Sequence, residues 1–286
     1  RQVCIRDCND PVYGNGQGSK SSPPIWNFNS SIFFDTFDRE AFGATYYSVS
    51  GQHLKIGMTG FVDDNNCNVC EDAIDHETSS AGIVQRMRTD AQLWHDILWS
   101  SGGALELTKC QYHLMHWNFT MAGVPMLETG VHNSNQIELT SPFGSTLRIK
   151  QLGCGTSYKT LGAFVEPLQH QQTQYRSLLK NARLHTKLLA TSSCKFNHAW
   201  IYYFSVFLRS VGYALPICHL TKSQLTTIQK PMTPVLLAKM GICQHTSRKL
   251  CFMSSYYGGL GLRDLYVARG IGQLEFILRH LRSPGM

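Results

Sequence analysis

The stretch Gly60 to Cys67, GFVDDNNC, sets two carboxylates side by side, Asp63 and Asp64, directly behind an apolar pair. Adjacent like charges repel unless something cationic offsets them. A turn accounts for the residue types, because Asp and Asn tolerate turn backbone angles. A turn that also offers hard carboxylate oxygens to divalent cations accounts for the pairing itself. A second set of residues has zinc-like spacing: Cys67-x-x-Cys70, Cys110-x-x-His113, and His116 nearby. If Cys67 and Cys70 flank a hairpin strand, their odd spacing sends the two side chains to opposite faces, which disfavours a shared ion.

The elements that must position these groups can be read from periodicity. Serine ahead of Pro23-Pro24 is a helix-start signal, and Ile25, Phe28, Ile32 and Thr36 follow on one side of a helix running from Ile25 to Phe37. Leu54, Ile56 and Met58 alternate with polar or small residues, predicting one strand that runs into Phe61-Val62 and the paired acids. The acids then stand at the tip of a hairpin, with the helix from Ile25 packed beneath the same sheet. A second helix is predicted over Ala81 to Trp99, with Ile83, Met87, Ala91, Trp94 and Leu98 on one stripe and Ser100-Ser101-Gly102-Gly103 as its stop. Leu105 and Leu107 alternate up to Lys109, and Tyr112 to Phe119 reads as a further strand. Short strands are expected at Ile137 to Leu139, Leu147 to Ile149 and Leu161 to Val165.

Beyond Glu166-Pro167 the pattern is helical. Tyr175, Leu178, Leu179, Ala182 and Leu189 mark one helix and His198 to Val211 another. Ser223 to Met240 marks a third, interrupted by Pro231 and Pro234. Ala268 to Leu281 is the last, after a glycine-rich loop at 258–262. The fold class is α+β, with an expected boundary between 1–167 and 168–286.

Composition sharpens that boundary. The 286 residues are 43% hydrophobic, enough for a sizeable core, and the net charge is +7. Residues 1–167 carry 11 Lys+Arg against 17 Asp+Glu, whereas residues 168–286 carry 15 against 2. Such an excess repels itself unless an anion offsets it, and a nucleic-acid backbone is the usual partner. The ten cysteines are irregularly spaced and the first residues are interrupted by charge, so reduced thiols in an intracellular, soluble protein are expected. The most apolar run, Ala199 to Leu208, is too short to span a bilayer, and no membrane partner is expected.

Four segments, GNGQGSKSSPPIWN (Gly14 to Asn27), FVDD (Phe61 to Asp64), GGALELTKC (Gly102 to Cys110) and YKTLGAFVEP (Tyr158 to Pro167), occur in an order that resembles reverse transcriptases of non-long-terminal-repeat or related retrotransposons. The resemblance covers Val12 to Pro167 as a partial polymerase palm, and residues 168–286 look like the helical thumb and connection region. It implies an RNA-directed DNA polymerase working on an RNA template, a DNA primer and deoxynucleoside triphosphates, with Mg2+ or Mn2+ as cofactor. Asp63 and Asp64 are the implied metal ligands, Asp63 held at the ions and Asp64 supporting the site. Lys109 matches the lysine that protonates the leaving pyrophosphate. Gln17, Gly18, Ser22 and Pro23 match the loop under the templating base and incoming nucleotide, with Phe61 as the aromatic wall in place of the usual tyrosine. Leu161 and Gly162 match the hairpin that grips the primer. Arg176, Lys180, Arg183 and Lys187 are the cations expected to grip the phosphate backbone.

The family also has a metal-binding aspartate on a strand upstream of the Gln-Gly loop. Here Asp7 and Asp10 lie close to that loop in no apolar strand. The chain is therefore expected to be a fragment of a larger polyprotein, inactive alone. Two other readings stay open at this level: a degenerate, non-enzymatic nucleic-acid-binding remnant, and a zinc-binding nucleic-acid module.

Overall fold

The computed structural model describes residues 22–61, 64–70, 80–106, 108–131, 136–141 and 143–282. They form two compact units, one within residues 1–156 and the other within 157–286. The chain is a mixture of helices and small sheets, as the α+β reading expects. The division falls ahead of the Tyr158–Val165 segment, about ten residues before the sequence boundary.

In the first unit, α1 (Ser22–Glu40) tolerates Pro23 and Pro24 because the first helical turn has no intrahelical partner for its N–H groups. Helix α2 (Ser80–Ser100) packs on it: Phe34 stacks on Trp94 with ring centroids 5.7 Å apart, and Phe37 meets the same indole edge-on. The helix stops as expected, with Gly102 at positive φ and the Gly103 N–H donating to the Leu98 carbonyl at 2.8 Å.

The predicted single strand through Leu54 and Met58 is two strands. β1 (Ala44–Tyr47) pairs antiparallel with β2 (His53–Ile56), and β3 (Met58–Phe61) pairs with β4 (Asp64–Cys67). The break is at Gly57. A Cβ there would stand 2.8 Å from an Asp38 carboxylate oxygen, and a Cβ on Gly43, at φ +63°, would stand 3.0 Å from the Gly57 Cα. The chain bends where two glycines let backbone meet backbone, and alternation alone does not register that contact.

A three-stranded sheet follows, in the order β5 (Gln111–His113), β9 (Thr146–Leu152), β8 (Ile137–Thr140), with β5–β9 parallel and β9–β8 antiparallel. Ile137 and Leu139 of β8 are buried against Val84 of α2. The segment expected as one strand from Tyr112 to Phe119 splits into β5 and β6 (Trp117–Phe119), and β6 forms its own hairpin with β7 (Pro125–Leu127). The alternation around Leu105 ends in a turn at Thr108 and Lys109 rather than a strand.

The second unit opens with the hairpin β10 (Tyr158–Thr160) and β11 (Ala163–Val165). Helix α3 (Gln172–Thr191) follows, then α4 (Phe196–Tyr202), a π-helical turn (Tyr203–Phe207) and α5 (Leu208–Gly212) in one run. The single long helix predicted over Ser223 to Met240 is α6 (Lys222–Gln229) and α7 (Met232–Lys239). Only Pro231 interrupts it, because Pro234 lies in the first turn of α7, where its missing N–H has no partner to lose. α8 (Arg248–Phe252) and α9 (Leu265–Arg282) complete the unit. One core, from Ala163 through Phe207 and Leu236 to Leu265, joins all of it. Among the described residues no helix is long and apolar enough to cross a membrane.

Candidate active site and nucleic-acid interface

The β3–β4 pairing puts Phe61 opposite Asp64, Gly60 opposite Asn65, Thr59 opposite Asn66 and Met58 opposite Cys67. Asp64 therefore opens the second strand of a tight hairpin, while Asp63 lies outside the described residues. The α1 helix supports the hairpin from one side: a Cβ on Gly60 would collide with the Phe34 ring and come within 2.5 Å of the Asn65 side-chain oxygen. Only glycine lets the helix approach β3 this closely. Asp64 is exposed and makes no ion pair among the described residues, so its oxygens are open to a cation of the hard, oxygen-seeking kind. Among the described residues no three His, Cys, Asp or Glu side chains gather around one point.

Of the loop expected beneath the nucleotide, Gln17 and Gly18 lie outside the described residues, and Ser22 and Pro23 are the first two residues of α1. Lys109 is exposed in the turn after Glu106. Its N–H donates to the Glu106 carbonyl at 2.9 Å. The Glu106 carboxyl is held below its usual range, first by the Thr108 hydroxyl at 2.5 Å and then by the Thr108 N–H and the nearby Lys109 cation. No hydrogen bond or ion pair joins Lys109 to Asp64. Its neighbour Cys110 lies near enough to Cys67 to raise that thiol's pKa, and Cys67 stands three residues along β4, roughly 10 Å from Asp64 at strand rise.

Desolvation pushes the Cys67 thiol up to about 12, with Asp90 and Cys110 adding to the rise, so it holds its proton rather than offering a thiolate. Cys70 Sγ instead accepts the Thr45 N–H at 3.2 Å, and His116 Nδ1 sits 2.9 Å from Glu128 Oε2.

Sequence reasoning missed Asp90. It is buried in α2, where its two oxygens accept the N–H groups of Phe42 and Gly43 at 2.9 and 3.1 Å. That carboxylate fixes the turn from α1 into β1. Its only sequence signal is an acid on the inward side of an amphipathic helix.

In the second unit, Leu161 and Gly162 form the two-residue connection of the β10–β11 hairpin, at φ 48° and 84°. Both left-handed positions match a type I′ turn, which favours Asn-Gly. A leucine there is strained by an amount on the order of 1 kcal/mol and is nonetheless presented to solvent, 41% exposed. The hairpin is tied down by Ala163, buried in the core, and by the Phe164 N–H donating to Gln174 Oε1 at 2.7 Å.

Helix α3 carries the predicted cations. Arg176, Lys180, Arg183 and Lys187 recur at intervals of four, three and four, all exposed, opposite the buried Gln174, Leu178, Ala182 and Leu189. The stripe runs about 16 Å along the axis at helical rise. None of the four makes an ion pair among the described residues.

No protein-family model, curated protein or solved structure matches this chain.

Proposed function

We propose that this chain is the palm-and-thumb part of an RNA-directed DNA polymerase of a retroelement, extending a DNA primer on an RNA template. The observation that carries the reading is the β3–β4 hairpin, in which Asp64 opens the second strand opposite Phe61, seated on α1 through the Phe34–Gly60 contact. Support comes from the β10–β11 hairpin with its strained Leu161, and from the unpaired basic stripe of α3.

The roles follow from chemistry. Asp63 and Asp64 offer carboxylate oxygens at the hairpin end, the donor type that Mg2+ or Mn2+ prefers. Such ions, when bound, offset the charge that builds on a transferring phosphoryl group. The hairpin's own work is to hold those oxygens still. Leu161 and Gly162 hold the primer end, and Arg176, Lys180, Arg183 and Lys187 neutralise backbone phosphates. Lys109 supplies a proton to the leaving group, a contribution of about a hundredfold.

The test is primer extension on an RNA template with Mg2+, using this chain together with any residues encoded ahead of Arg1. Asp63→Ala is expected to lower the rate by a few orders of magnitude. Lys109→Gln is expected to lower it by about a hundredfold. Extension that is indifferent to Asp63→Ala reduces the hairpin to a turn. Salt-sensitive binding of a primer–template without any extension points instead to a non-enzymatic binding remnant.

A further inference from the structure

The second unit has a cavity of about 310 Å³ at the end of α6, and three cations line it: Lys230, Arg248 and Lys249. All three are exposed and none makes an ion pair among the described residues. The lining contains one carboxylate, Asp264, which caps α9: its Oδ1 accepts the N–H groups of Tyr266 at 2.8 Å and Val267 at 3.2 Å. One carboxylate thus stands against three cations, leaving the lining two positive charges in excess. Phe252, half-buried, supplies an aromatic wall. Cations gathered around one hollow repel one another, and an oxyanion between them turns that cost into attraction. The volume is at the small end for ligand sites and suits one phosphate with its sugar or base, the latter resting on an aromatic face.

We propose that this cavity binds a single phosphodiester group of the polynucleotide. The site is separate from the α3 stripe and shares no residue with it. The proposal rests on the nucleic-acid reading of the second unit. Phosphate chemistry alone does not distinguish a backbone group from free inorganic phosphate, so the test includes both.

The test measures binding of a labelled RNA–DNA hybrid to the full chain by fluorescence anisotropy across a salt series, with folding checked by circular dichroism. Two variants address the cavity. Lys230→Gln/Arg248→Gln/Lys249→Gln removes its charge. Thr226→Trp, at an exposed lining position of α6, fills it while keeping every cation. Each variant is expected to weaken binding by about tenfold, the size of one charge-assisted contact. Thr226→Trp should also lower the log–log salt slope by about one, for one phosphate lost. Inorganic phosphate at constant ionic strength should compete with the hybrid on the wild-type chain and not on Thr226→Trp.

Thr226→Trp that binds the hybrid like the wild type overturns the site. If Arg176→Ala/Lys180→Ala/Arg183→Ala/Lys187→Ala still weakens binding in that case, the broader reading stands without the cavity. Hybrid binding insensitive to salt and to every variant overturns the nucleic-acid reading itself. Phosphate that stabilises the wild type but not Thr226→Trp against heat, and leaves hybrid binding untouched, overturns the backbone assignment in favour of a free-anion site.

Discussion

The two units are held together in different ways. In the first, among the described residues, most of the large buried side chains fall into two small clusters, one around Phe37 and Trp94, the other around Val84, Ile137 and Leu139, with half-buried Leu105 packed on both. Its sheets, among the described residues, have two or three strands each. In the second, one continuous core runs from Ala163 to Leu265. A buried polar clasp reinforces it. The π-helical turn aims Tyr203 at the Arg263 carbonyl (2.8 Å) and at Gln229, whose amide also reaches the Arg263 carbonyl and the Leu265 N–H. The acidic unit is thus assembled from local pieces fixed by close backbone contacts. The basic unit behaves as one body, and a body of that kind can carry a row of like charges without coming apart.

The largest effects should expose that contrast. Phe207→Ala, fully buried in the π turn, is expected to cost about 3–5 kcal/mol and to remove amide-exchange protection from α3 through α9 together. Ile137→Ala should cost about 2–4 kcal/mol, yet release β8 and β9 while amides of α1, α2 and β3 stay protected. If α1 opens to the same extent, the first unit has one core after all. Next comes Asp90→Ala, which strands two backbone N–H groups. It should cost about 2–3 kcal/mol by denaturant unfolding and leave the second unit's transition in place.

Smaller effects sharpen the comparison. Leu161→Asn creates the favoured Asn-Gly turn and is expected to stabilise the second unit by about 0.5–1 kcal/mol in thermal melts. On the proposed reading it should also slow primer extension, because the exposed leucine is lost. Gain in both stability and extension would separate the hairpin from the primer. The smallest effect concerns pH. His185 bridges Tyr202 Oη (2.8 Å) and Ser210 Oγ (2.9 Å), and desolvation holds its pKa below the ordinary 6.5. The unfolded chain therefore takes up the proton first. The stabilising contribution is complete above about pH 6.5 and declines as pH falls below it, which melts of wild type and His185→Gln compared across that range would resolve.

The long helices were legible because their apolar stripes repeat every three or four residues, and the α3 cations fell on the opposite side by the same spacing. The β3–β4 pairing that Asp64 enters was legible because turn residues follow an apolar pair. What escaped depends on contacts distant in sequence: the Gly43–Gly57 approach that divides one alternating segment into two strands, and Asp90 reaching 47 residues back to Gly43. Two boundaries were readable in principle. Thr221 and Gln224 form a capping box that starts α6 at Lys222, and Asp264 caps α9 ahead of the expected Ala268. Hydrophobic periodicity alone placed both starts late.

The β10–β11 hairpin belongs to the basic unit, anchored through Ala163 and Gln174. On the proposed reading this makes the unit a ruler. The spacing between a primer end under Leu161 and phosphates along α3 would then be set by parts that share one core. A polynucleotide held at both marks is measured in a fixed number of steps, and each cycle of extension must release and regrip both together.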